Sequence, residues 1–158
     1  VIKMVRITEQ SAYSQLYDGI IDAFKIAVAE LASGEDKVVE DIVEGEEDLG
    51  ERNSVLMIVG GPDYITHSGM RNLLHIVEVY ACYLSREITS VDILKKLRNI
   101  SGHGYDLVMK DITLGNTVEA CIPISVNPGF IKYGETIYVG VLQTWHIKKR
   151  EGFVVPGS

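Results

Sequence analysis

The chain has 158 residues (17.5 kDa), 46% hydrophobic and 23% charged, with a formal net charge of −7. That length suits one domain of about 100–150 residues, expected over residues 1–150 with a flexible tail at 151–158, and the apolar content excludes wholesale disorder. Cys82 and Cys121 make neither a disulfide framework nor a CxxC pair. No apolar run approaches the ~18 residues of a membrane span, and the first residues lack a secretion-signal layout. A soluble single domain is expected.

The acidity is concentrated. Residues 35–51 hold nine Asp/Glu and one Lys, a local charge of −8, so the remaining chain stands at +1. The plain reading is a solvated acidic loop; the functional one is a surface that repels polyanions or meets a basic partner. Bases elsewhere are scattered apart from Lys95–Lys96–Arg98 and Lys148–Lys149–Arg150, with no aromatic platform among them. A groove that grips nucleic acid is therefore not expected.

Residues 11–33 read as the best helix. Tyr13, Leu16, Tyr17, Ile20, Ile21, Phe24, Ala27, Val28 and Leu31 recur at three- and four-residue steps. Thr8 or Ser11 supplies the N-cap and Gly34 a left-handed stop. Lys37–Val43 reads as a short, charged edge strand. Ser54–Val59 reads as a buried strand ended by Gly60–Gly61–Pro62, since Pro62 has no amide hydrogen for a ladder. Residues 63–70 are taken as a connection.

Arg71–Ser85, dominated by β-branched and aromatic residues, is the longest strand predicted. Fifteen residues is long for a compact domain, so a bend or a projecting end is expected. Thr89–Ser90 would cap a second helix through Ile100, placing Lys95, Lys96 and Arg98 near its C-terminal end, where cations are favoured. Ser101–Gly102–His103–Gly104 would break it, with a helical turn resuming over Tyr105–Lys110. Thr117–Val126 and Thr136–Lys148 read as strands bracketing a turn at Asn127–Pro128–Gly129. The order α-β-β-β-α-(α)-β-β predicts an α+β domain: a mostly antiparallel sheet with the long N-terminal helix and a second helix packed on one face.

No stretch carries chemistry at a readable spacing. Gly60–Gly61–Pro62 lacks the Lys-Ser/Thr pair of a phosphate loop and the GxGxxG of a dinucleotide fold. His67, His75, His103 and His146 show no HxH or HExxH spacing; His75 and His146 fall in strands as packed or surface residues. Cys82 and Cys121 read as core thiols. The carboxylates of Glu44–Asp48 are adjacent in an exposed turn, where none is desolvated enough for acid–base work. No catalytic residue, metal ligand or cofactor is expected.

Two short motifs stand out. Asp111, Thr113, Leu114, Gly115 and Val118 spell D-x-T-L-G-x-x-V between the second helix and the penultimate strand, and Tyr138–Val139–Gly140–Val141 gives Y-x-G-x in the last one. With the segment order over about residues 11–150, they resemble the tail-terminator and tail-completion proteins of long-tailed bacterial and archaeal viruses. The chain departs from that pattern at Asn116, where a second glycine is often seen, and in the ISGHGYD insertion.

The resemblance implies a non-enzymatic virion protein, assembled in the host cytoplasm and placed in the tail or neck. It implies a homo-oligomeric ring, usually a hexamer, that caps the tail tube protein and docks the head–tail connector protein. DNA would pass through without specific binding, with no membrane involved. Glu44, Glu46, Glu47, Asp48 and Glu51 would then line the lumen and repel the phosphates. The rival is a ring-forming small-molecule enzyme of a tunnelling-type fold (pterin or purine class), with Glu78 or Glu119 anchoring a heterocycle edge. A third reading is an adaptor that binds through its long strand.

Overall fold

The computed structural model describes residues 9–45, 52–67, 72–86, 92–133 and 135–152. Helix α1 spans Ala12–Val28 and runs on as a 3-10 turn over Ala29–Ala32. Strands β1 (Asp41–Glu44), β2 (Ser54–His67) and β3 (Asn72–Ser85) follow, then helix α2 (Ile93–Lys110) and strands β4 (Ala120–Tyr133) and β5 (Thr136–Gly152). They form one five-stranded sheet in the order β1-β2-β3-β5-β4. Among the described residues only the β1–β2 pairing is parallel. The chain is thus an α+β protein whose mostly antiparallel sheet carries both helices on one face.

Burial explains that arrangement. Ile20, Ile21, Phe24 and Val28 of α1, and Leu97, Ile100 and Val108 of α2, join one apolar cluster with alternate residues of the strands. Those strand residues include Leu56 and Ile58, Val77 and Val79, and Val141, Trp145 and Ile147. Trp145 is fully buried at its centre, with the rings of Phe24 and Tyr105 at 5.8 and 5.6 Å. The indole N–H donates to Gln143 Oε1 (3.2 Å), and Gln143 Nε2 donates to the Ser101 carbonyl of α2 (2.7 Å), so this buried amide is paired at both ends. The opposite face carries a smaller cluster made of strand residues alone: Val43, Val55, Met57, Cys82, Leu84 and Tyr138.

The first helix matches its periodicity, with the Ser11 hydroxyl capping it by accepting from the Ser14 amide at 3.0 Å. β3 occupies nearly the expected span and pairs along its whole length with β5. β1 lies at a sheet edge but is only four residues long. The caps expected from Thr8, Thr89 and Ser90, residues 46–51 of the acidic segment, and the tail beyond Gly152 lie outside the described residues.

Several boundaries are corrected. β2 does not stop at Gly60–Gly61–Pro62; it continues to His67, so residues 63–67 are strand and not a connection. A register shift between Gly60 and Asp63 absorbs the proline as a bulge. Both glycines are needed there, because a Cβ on Gly60 would strike the Tyr17 hydroxyl and one on Gly61 would lie 2.8 Å from the Tyr80 ring. α2 passes unbroken through Ser101–Gly102–His103–Gly104. Lys95, Lys96 and Arg98 therefore stand in its first turns, where the helix dipole opposes cations, and not near its C-terminus.

β4 likewise runs through Asn127–Pro128–Gly129 as regular strand, and the chain reverses between Tyr133 and Thr136. It starts at Ala120, because residues 117–119 still belong to the connection from α2. β5 extends to Gly152, so residues 151–152 belong to the sheet.

Candidate self-association surface

Among the described residues β4 is an edge strand, hydrogen-bonded to β5 on one side only. Soluble proteins usually blunt such an edge with charge. Here residues 120–131 contain no Asp, Glu, Lys or Arg. Instead Phe130 is 73% exposed, Ile124 50% and Val126 49%, with Ile122 and Ile137 also open to solvent.

The register shows how this patch is built. Val126 lies opposite Gln143 and Phe130 opposite Val139. Directly paired residues share a face, so both project on the helix-bearing side. A shift between Pro123 and Ser125 places Ile124 in a bulge. Pro123 and Pro128 lie opposite Trp145 and Val141; neither has an amide hydrogen, which suits an edge position and removes donors from the row. The edge is thus apolar in its side chains and poor in backbone donors. It is suited to docking a surface by side-chain burial rather than to extending a ladder.

The residues singled out in the sequence fall into three places. Asp111, Thr113, Leu114, Gly115 and Val118 form the turn after α2. The Asp111 carboxylate accepts from the amides of Thr113 (3.0 Å) and Gly115 (2.9 Å) and from the Thr113 hydroxyl. Those bonds, with that hydroxyl foremost, hold the Asp111 carboxyl below its ordinary pKa. Leu114, Gly115 and Asn116 all take left-handed backbone angles (φ 48°, 70° and 62°). Asparagine is among the few side-chain-bearing residues that visit this region readily. Leu114 and Val118 are buried in the main cluster and anchor the turn.

Tyr138 is buried in the second cluster, and Gly140 pairs with Gly129 of β4 and Leu84 of β3. The first motif's Asp111, Leu114 and Gly115 border a groove of about 650 Å³ shared with Ala23, Ile26 and Glu30 of the first helical segment and Leu107 and Lys110 of α2. Glu44 ends β1 and pairs with Lys25 of α1 at 3.1 Å. Glu46, Glu47, Asp48 and Glu51 lie outside the described residues.

The enzyme reading's anchors are also placed. Glu119 is half exposed and paired with Arg150 at 3.2 Å. Glu78 accepts from the Tyr64 hydroxyl at 3.3 Å, with His146 Nε2 at 3.7 Å. A groove of about 480 Å³ lies between α2 and the segment following α1, lined in part by Glu30, Asp36, His103, Asp106 and Lys110. Neither glutamate borders it. Cys82 and Cys121 are buried thiols whose pKa burial pushes up to about 12, which makes them poor nucleophiles. Among the described residues no three His, Cys, Asp or Glu side chains cluster as metal ligands.

Sequence reading missed two features. One is the bare β4 edge, whose signal was the uncharged run ACIPISVNPGFI. The other is a cluster of the buried Asp63 and His75 side chains with the half-exposed Glu151, joined only by sheet register and invisible as a spacing. A scan against family models finds no match for the chain, and a search of curated proteins finds no similar sequence.

Proposed function

We propose that the protein is a structural ring component of the tail-terminator type, capping a viral tail tube and presenting a docking surface to the head connector. The observation that carries this reading is the β4 edge: twelve consecutive residues without charge, with Ile124, Val126 and Phe130 uncovered. A lone soluble chain gains nothing from such an edge, whereas a copy packed against it removes the apolar area from water. Because the opposite edge, β1, is short and acidic in character, the two edges do not match each other. Contacts between unlike surfaces are head-to-tail, and these close into a ring when the rotation between successive copies closes. Six copies are proposed by resemblance to the tail-terminator family.

In this ring the acidic segment faces the passage taken by DNA. Glu44 contributes least to the field, because Lys25 offsets it; the charge rests on Glu46, Glu47, Asp48 and Glu51. The test is to mix the purified protein with open tail tubes and image the tube ends by electron microscopy. Rings seated on one end support the role. Tubes that stay bare, with the protein free in solution, refute it.

A further inference from the structure

The far ends of β2, β3 and β5 meet in a second arrangement, whose logic does not depend on the ring. His75 of β3 is 2% exposed. Its Nδ1 lies 2.7 Å from Asp63 Oδ2 on β2, and its Nε2 lies 2.7 Å from Glu151 Oε2 on β5. The same Asp63 oxygen accepts from the Tyr13 hydroxyl of α1 at 3.0 Å. The Tyr13 and His75 rings are 6.0 Å apart. One imidazole therefore links three strands, and through Asp63 reaches the first helix.

The chemistry of the partners fixes the state of the ring. An ionised carboxylate only accepts hydrogen bonds, so a histidine held by two of them must donate from both nitrogens, and only the imidazolium can. Asp63 is itself buried, and its Oδ1 has no partner among the described residues. A buried carboxylate without a counter-charge is costly, and the imidazolium supplies one. Loss of one proton leaves a ring with a single donor, so one of the two carboxylates must let go.

We propose that His75 is a proton-operated clip that fastens the ends of β2, β3 and β5 to α1, closed while the ring carries both protons and open once it loses one. The groups facing it are Asp63 from β2, Glu151 and Lys149 from β5, the latter the register partner of His75, and Tyr13 from α1, with Tyr17 adjacent to Tyr13. Burial alone pulls the ring's pKa down, but the hydrogen bonds that Glu151 and Asp63 accept outweigh it, and the net value lies above the ordinary one. Opening therefore sets in at a higher pH than the titration of an ordinary histidine. What it frees is the β2–β3 hairpin and the end of β5, while the helix-covered core stays closed.

Nitrogen-15 NMR of the His75 ring, with amide hydrogen exchange of residues 63–67 and 73–77, tests the clip. On the acid side of the ring's titration both ring nitrogens should carry protons. As pH rises through the ring's titration, hairpin opening should increase roughly ten- to a hundredfold, the loss of one charge-assisted bond, after correction for intrinsic exchange. His75→Gln should show fast hairpin exchange at every pH with no step, while the amides of α2 remain protected. Glu151 is half exposed, so Glu151→Gln provides a folded variant in which the ring titrates at lower pH. A ring that titrates at or below the ordinary histidine value, or hairpin exchange that shows no step in the wild type, overturns the proposal.

Discussion

Gly104 of α2 lies directly over the hydroxyl of Tyr83 on β3, and a Cβ at that position would occupy the oxygen's place. The helix approaches the sheet closely because this residue has no side chain. The Tyr83 hydroxyl is buried and has no hydrogen-bond partner among the described residues. Its ionisation is pushed well above the usual tyrosine range by burial. Gly104→Ala should therefore destabilise the protein by about 1–3 kcal/mol through overpacking. Tyr83→Phe alone should be neutral or slightly stabilising, and in the double variant it should recover much of the loss. Thermal melts of the four proteins check this; equal losses with and without the hydroxyl would show that the collision is not the cause.

Gln143 joins Trp145 to α2. Replacing it by Leu keeps the volume but strands the indole N–H in the core. A loss of about 1–3 kcal/mol is expected, as for a buried donor left without its acceptor. Urea denaturation should show a lower midpoint at unchanged slope.

The two thiols should be inert in the folded protein. Both are buried, and their pKa values stand at about 12, so almost no thiolate exists near pH 8. Alkylation followed by mass spectrometry should leave Cys82 and Cys121 unlabelled until denaturant is added. Rapid labelling of either in the native state would contradict the burial.

Asp111 organises the turn after α2 as an ionised carboxylate. Its folded pKa is lowered, so its contribution is present above the unfolded value and is lost as pH falls through the folded one. Asp111→Asn should reduce the melting temperature at neutral pH and narrow the gap between variant and wild type on acidification. Melts at a series of pH values read both effects.

The parts of the fold legible in the sequence were those set by local pattern. The stripe from Leu16 to Val28 and the β-branched run of β3 each contain their own periodicity, and the element order gave the α+β class. What misled were glycines and prolines, whose local preference for turns was overridden by packing. Gly104 serves the close approach of α2 to Tyr83, Gly60 that of Tyr17, and Pro62 rests in a bulge. Pro128 lies on an edge strand, where no ladder bond needs its missing hydrogen.

The candidate surface was less legible than the fold. An uncharged run reads equally as a buried strand or a bare edge, and only strand order separates them. The His75 clip depends on residues far apart in sequence, which no spacing rule gathers.

A β4 edge that forms the contact between copies would show itself in the mass of the protein in solution. Phe130 is 73% exposed in the single chain, so Phe130→Glu should leave the melting temperature of the fold nearly unchanged. Sedimentation or native mass spectrometry should find the wild type as a closed assembly of several copies, six by the proposed reading, and Phe130→Glu as a folded monomer. A wild type that stays monomeric at every concentration, or a Phe130→Glu variant that assembles as the wild type does, contradicts the account.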